Sequence, residues 1–459
     1  MHMFLERIVS EGLAQYSYIL GSGTEAAVID PRRDVDVYLQ LSREKGVRIT
    51  RIFETHKNED YVIGSRTLAE ATGAEIYHGH AFPFEYGTPV REGDVFLVGN
   101  LIISVLETPG HTVESISLAV REKDGPDRVL MVFTGDALFA GDVGRTDFYP
   151  GRMEQMAGAL HDSLWMKILP MGNQAVVYPA HGAGSVCGEA ISDRTITTIG
   201  YEKEGNPALG MTREEFVRFK VQEHHYTPPY FQTMEVWNTK GDRSMPAPAP
   251  VPPLSIDQVK TLRSKGAQLV DLRAPSDFGG GYVPGSINIW REGIPLFIGW
   301  VLNYQDPIVF IDEFNLDLDS VVRSFYRMGY DRIAGYCAGG FPAWSRMAGD
   351  VGFLEQWTPE TLRDYGGTPF ILDVRNIQTR TKIGHISGSH HCWVGDVPAH
   401  LTEVPRDRLV VTYCDAGYKG NMAASILCKH GFPRVVNLLG GMAAWKTARL
   451  PVEQEDKRV

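Results

Sequence analysis

Apolar residues in the first half of the chain gather into short runs: AAVID (26–30), RITRIFE (48–54), LIISVLE (101–107), VLMVFTG (129–135) and AVVYPA (175–180). Between some of them stand stretches of helical pattern, VDVYLQLSREKG (35–46) and VIGSRTLAEATG (62–73). Strand-like runs alternating with amphipathic helices predict an α/β domain over residues 1–240. The pattern then breaks at GDRSMPAPAPVPPL (241–254), where alternating Pro and Ala predict an extended spacer with little to bury. Beyond it the chain repeats itself. LVDLR (269–273) returns as ILDVR (371–375), GYVPGS (281–286) as GHISGS (384–389), RMGYDRI (327–333) as KHGFPRV (429–435), and GGFPAW (339–344) as GGMAAW (440–445). These are two copies of one unit, expected over 255–350 and 356–455, each long enough for a doubly wound α/β domain.

At 459 residues the chain exceeds one ordinary core, so several domains are expected. With 43% hydrophobic and 22% charged residues it has a globular composition, and no apolar run approaches the ~18 residues that span a bilayer. Glu6, Arg7 and Glu11 interrupt the stretch where a secretory signal needs continuous apolar residues, so a cytoplasmic location is expected. Five cysteines form no C-x-x-C pair, as suits reduced thiols. A net charge of −11 offers no basic stripe for nucleic acid, which favours small-molecule chemistry.

Candidate metal ligands follow four of the apolar runs: His56, His111, Asp136 and His181. Loops at strand ends are where a rigid scaffold gathers distant side chains, and a shared position argues against four unrelated strand caps. His56, His111 and Asp136 would make the two-His, one-carboxylate triad that leaves open positions on a non-haem Fe(II). In THKNEDY (55–61), Asn58 and Tyr61 stand where a dinuclear site would want imidazoles, which disfavours a zinc pair clamping a bridging hydroxide.

T-H-x-x-x-D, TPGHT, TGDALF, GDVGRTDF and YPAHGAGS together resemble the metallo-β-lactamase superfamily, and most its persulfide dioxygenase branch. The resemblance implies an αββα sandwich and one Fe(II), with zinc as a substitute, held by His56, His111 and Asp136. It sets Arg145 near the bound thiol carrier, where an ion pair with Asp147 or Asp142 is the plain alternative. It also suggests a homo-oligomer, dimer or tetramer. Asp60 and His181 would orient the ligands, and Cys187 is either an inert buried thiol or one able to pass sulfane sulfur.

A second chemistry lies in VVTYCDAGYKGNMAASILCKHG (410–431): an apolar strand, a loop opening with Cys414, then a helix. Residues Asp415, Ala416, Gly417, Tyr418, Lys419 and Gly420 could curl their N–H groups around the sulfur, favouring thiolate and stabilising a persulfide. With LDVR, GHISGS and GGMAAW this stretch resembles a rhodanese domain, which implies a sulfurtransferase with Cys414 as nucleophile. Lys419 replaces the arginine of many members and keeps the positive charge that suits thiosulfate. The equivalent position of the first copy is Asp312, without a glycine-bearing loop, so that copy resembles a degenerate rhodanese. Cys337, Cys392 and Cys428 lack such a setting.

Together these features predict oxidation of a low-molecular-weight thiol persulfide by O2 to sulfite and thiol, with a rhodanese step that forms or uses thiosulfate, as in sulfide detoxification. The alternatives are a glyoxalase II-like thioester hydrolase and a non-catalytic sulfane-sulfur carrier.

Overall fold

The computed structural model describes residues 3–188, 190–241, 245, 250–347 and 350–454. Half of the expected Pro/Ala spacer, residues 242–244 and 246–249, lies outside them. The chain divides into two compact units, Met1–Ala247 with Tyr326–Gly329, and Pro248–Phe325 with Tyr330–Val459.

In the first unit, one six-stranded sheet runs in chain order through Phe4–Ser10, Gln15–Ser22, Glu25–Ile29, Arg48–Glu54, Glu75–Gly79 and Thr88–Val90. A second is ordered Thr197–Thr198, Val176–Pro179, Met131–Gly135, Ile116–Glu122, Leu101–Glu107 and Val95–Val98. The strands are apolar on both faces because both faces are covered. Alternate residues Tyr18, Leu20, Ala27, Ile29 and Phe53 meet Ile103, Val105, Leu118 and Phe133 of the other sheet in one core. Their neighbours Ile19, Ala26, Val28 and Ile52 point the other way, onto Tyr38 and Leu68 of the helices Asp36–Lys45 and Ser65–Thr72. The helix Met153–Ser163 covers the outer face of the second sheet through Leu160. The layers are helix, sheet, sheet, helix, as the resemblance implied.

The second unit shows the repeat as two five-stranded parallel sheets of matching order. In the first copy Pro253–Leu254, Ile333–Cys337, Ile308–Ile311, Gln268–Asp271 and Ile287–Asn288 are neighbours in that sequence. In the second the order is Glu355–Trp357, Val435–Leu438, Val410–Tyr413, Phe370–Asp373 and His390–His391. Trp344 and Trp445, the repeated tryptophans of GGFPAW and GGMAAW, occupy corresponding cores. Each copy also buries an Asp–Arg pair at the end of the strand beside its central one, Asp271–Arg273 at 2.7 Å and Asp373–Arg375 at 2.6 Å. These pairs are the D-x-R of LVDLR and ILDVR. Among the described residues no helix is long and apolar enough to cross a membrane.

Candidate metal centre and sulfur-transfer loop

Each predicted ligand of the first unit follows the carboxyl end of a strand: His56 after Arg48–Glu54, His111 after Leu101–Glu107, Asp136 after Met131–Gly135 and His181 after Val176–Pro179. All four side chains are buried and meet in one place. Nε2 of His111 lies 3.4 Å and Nε2 of His56 3.8 Å from Oδ2 of Asp136. The two imidazoles stand edge to face, with centroids 5.1 Å apart.

What fixes the imidazoles was not evident from motif spacing. Nδ1 of His56 is 2.9 Å from Oγ1 of Thr55, whose hydroxyl donates to Oδ2 of Asp30 at 2.7 Å while its N–H donates to Oδ1. The carboxylate orients the hydroxyl, so the hydroxyl oxygen accepts from Nδ1–H of His56. Burial lifts the Asp30 carboxyl to about 6, against the lowering effect of His56 and the Thr55 hydrogen bonds. Nδ1 of His111 is likewise held by a carbonyl, that of Arg145, at 3.0 Å. Both rings therefore present Nε2 to the cavity, and neither Nε2 has an aligned hydrogen-bond partner. Two buried imidazole nitrogens without partners beside a carboxylate fit a cation. Burial disfavours an imidazolium at His111, yet Glu59 and Asp136 outweigh it and raise its pKa.

Asp60 and His181 line the back of the site. Nδ1 of His181 is 2.8 Å from Oδ1 of Asp136 and its Nε2 is 2.9 Å from Oδ2 of Asp60. Burial opposes a charge on this ring, but Asp136, Cys187 and Asp60 raise its pKa well above the usual value. Asn58 donates to the carbonyl of His56 at 3.2 Å, and Tyr61 directs its hydroxyl at the carbonyl of Asp30. Arg145 forms a two-pronged pair with Asp147 at 2.7 and 2.8 Å and donates to the carbonyls of Val186 and Tyr226. Its guanidinium thus forms the ion pair with Asp147, while its backbone carbonyl faces Nδ1 of His111. Cys187 is buried, and its thiol pKa is driven far up by burial and nearby carboxylates.

A residue absent from the predicted set also belongs here. Glu59, Asp136, His111 and Cys187 each offer a donor atom, all within 4.8 Å of one another, while His56 lies outside that tightest group.

In the second unit, Val410–Tyr413 delivers Cys414 into a loop that closes at Gly417 (φ +93°), before the helix Tyr418–Lys429. The Gly417 N–H donates to Sγ of Cys414 at 3.1 Å. Lys419 pairs with Asp415 at 2.8 Å and lies over Trp393. Gly441 (φ +51°) lets the helix Gly441–Thr447 sit on the loop; a Cβ there would lie 2.1 Å from the carbonyl of Cys414. The thiol does not have the lowered pKa that the loop and helix led one to expect. Burial raises it, outweighing Lys419 and the N–H groups of Gly420 and Ala416.

The first copy keeps more of this architecture than its lack of glycine suggested. Asn315 (φ +57°) takes the place of Gly417, and its N–H donates to Oδ2 of Asp312 at 2.8 Å, as Gly417 donates to sulfur. Arg291 pairs with the same carboxylate at 2.9 Å, so the cradle holds its own anion. Gly340 repeats Gly441, with a Cβ 2.3 Å from the carbonyl of Glu313. Burial moves the thiols of Cys337 and Cys392 to about 11 and about 12, consistent with structural roles.

Comparison with known proteins matches residues 11–181 to the metallo-β-lactamase superfamily, and residues 255–347 and 358–448 to the rhodanese-like domain. The crystal structure of a metallo-β-lactamase from Staphylococcus aureus subsp. aureus COL is 30% identical and covers 73% of this chain and 99% of its own, with a TM-score of 0.66. The chain is a metallo-β-lactamase superfamily member carrying two rhodanese-like domains. Among curated relatives of this metallo-β-lactamase–rhodanese chain, the mitochondrial persulfide dioxygenase ETHE1 of Bos taurus is 29% identical over 44% of this chain and 74% of its own. The hydroxyacylglutathione hydrolase GloC of Haemophilus influenzae is also 29% identical, over 42% of this chain and 91% of its own.

Proposed function

We propose that the first domain, residues 1–240, is a non-haem Fe(II) dioxygenase that uses O2 and water to convert a low-molecular-weight thiol persulfide to sulfite and thiol. We further infer that the second rhodanese copy, residues 356–455, transfers sulfane sulfur through Cys414, forming or using thiosulfate. Likeness to persulfide dioxygenases and the rhodanese-like domains both support an enzyme of sulfur metabolism. Because the hydrolase GloC is equally similar, identity does not choose between oxygenation and thioester hydrolysis. The donor set does. His56 and His111 present unpartnered Nε2 atoms beside Asp136, whereas Asn58 and Tyr61 supply no imidazoles for a second ion.

Iron bound there would supply open positions for persulfide and O2. The protein's own part is positional: Thr55 and the Arg145 carbonyl aim the two imidazoles, and His181, held between Asp136 and Asp60, steadies Asp136. At the other site Cys414 must lose its proton. Lys419 and the loop N–H groups stabilise the thiolate that attacks the outer sulfur of thiosulfate, releasing sulfite with the electron pair of the broken S–S bond. Two substitutions test the assignment. His111→Ala is expected to abolish O2 uptake with glutathione persulfide and to spare thiosulfate-to-thiol transfer; Cys414→Ser should do the reverse. Loss of both activities in either variant would refute two separate sites, and hydrolysis of S-lactoylglutathione without O2 uptake would favour the hydrolase.

A further inference from the structure

Position 59, within His56-Lys57-Asn58-Glu59-Asp60, carries a carboxylate that the two-His, one-Asp triad does not use. The side chain is buried, with 7% of it exposed. Its Oε1 lies 3.2 Å from Nε2 of His111 and accepts from the Cys187 thiol at 3.5 Å. The same Nε2 is 3.4 Å from Oδ2 of Asp136. The Nδ1–H of His111 is spent on the Arg145 carbonyl, which leaves Nε2 facing the two carboxylates. Three donor atoms spaced 3.2 to 3.4 Å along their contacts match the edge of a coordination shell with bonds of about 2.1 Å.

We propose that Glu59 is a fourth protein ligand of the metal, joining His56, His111 and Asp136, so that this chain grips its cation with two imidazoles and two carboxylates. The inference rests on the iron-site reading above and extends it. Where Asn58 and Tyr61 withdraw neutral imidazoles from the region, Glu59 adds an anion. Two carboxylates balance the charge of a divalent ion and favour iron or manganese over zinc, which prefers nitrogen and sulfur donors. One position fewer is then left for exogenous ligands.

The test uses the full chain stripped of metal and its Glu59→Gln, Glu59→Asp and His111→Ala variants. Each is titrated anaerobically with Fe(II) against a chromogenic chelator, and each cobalt(II) form is examined by visible and X-ray absorption. Glu59→Gln keeps the side-chain shape and is expected to bind Fe(II) at least about 100-fold more weakly, beyond what loss of an outer partner costs. Its cobalt spectrum should change, with one fewer oxygen ligand, and Glu59→Asp should recover part of the affinity. An unchanged cobalt spectrum in Glu59→Gln would overturn the proposal whatever the affinity, as would a sulfur-to-cobalt charge-transfer band that the variant retains. Should Glu59→Gln fail to fold, Glu59→Asp binding Fe(II) as tightly as wild type with an identical cobalt spectrum overturns it. If wild type binds Fe(II) no better than His111→Ala, the underlying iron site fails as well; if only His111→Ala loses metal, Glu59 alone is wrong.

Discussion

The repeated Asp–Arg pair sets up a comparison within one protein. In the second copy Oδ2 of Asp373 is 2.6 Å from Arg375, 3.0 Å from Arg380 and 2.6 Å from the hydroxyl of Tyr413, the residue before Cys414. Burial would raise this carboxyl, but Arg375 and Tyr413 hold it below the usual range. Asp271 in the first copy has Arg273 alone, with Asp312 adding negative charge, and burial leaves its pKa raised. Asp373→Asn takes the shared carboxylate from two guanidinium groups, one fully buried, and from the Tyr413 hydroxyl, and breaking such a network costs about 3–5 kcal/mol. At about 2–4 °C per kcal/mol for a unit of this size, the melting transition of the rhodanese unit should fall by roughly 6–20 °C. Asp271→Asn takes the carboxylate from Arg273 alone, which, like Arg375, keeps a bond to a glycine carbonyl, and should cost no more than about 1.5–3 kcal/mol, the worth of charge-assisted hydrogen bonds. Differential scanning calorimetry of the full chain, with thiosulfate transfer followed through the same ramp, measures both. Asp271→Asn proving as costly as Asp373→Asn, or more so, would refute the reasoning.

The depressed pKa of Asp373 gives stability that is full above about pH 4 and lost as pH falls through its folded-state value. Asp373→Asn should therefore flatten the fall in melting temperature between about pH 5 and 3 in an acid series. Gly441→Ala would force a Cβ onto the Cys414 carbonyl at positive φ, a strain of about 1–3 kcal/mol, and is expected to cut thiosulfate turnover at least about tenfold. Gly340→Ala in the first copy should lower the melting temperature with turnover unchanged. Thr55→Val removes the hydroxyl between Asp30 and His56 and should weaken metal binding by about 10–100-fold in chelator competition.

The strands, the repeat and the gathering of His56, His111, Asp136 and His181 were legible because each depends on short-range pattern: apolar alternation fixes the sheet face, and a strand end fixes where the next residue emerges. The partners of those ligands were not. The hold on His111 comes from a carbonyl 34 residues away, and that on His56 from Asp30, 25 residues back from Thr55. Spacing carries no trace of either. Glu59 passed as a motif filler because its direction depends on how the turn after His56 curls. The raised pKa of Cys414 has a similar origin: the loop's N–H groups can be counted from CDAGYKG, but the depth at which the loop is buried cannot. In the first copy the missing glycine suggested a lost cradle, whereas Asn315, a residue that tolerates left-handed backbone, preserves it.

Metal content of protein purified without oxygen, read together with O2 uptake on glutathione persulfide, bears most directly on the central claim. The expected result is about one iron per chain and uptake that scales with it, as a lone two-histidine centre requires. Stoichiometric zinc with no O2 consumed would contradict it.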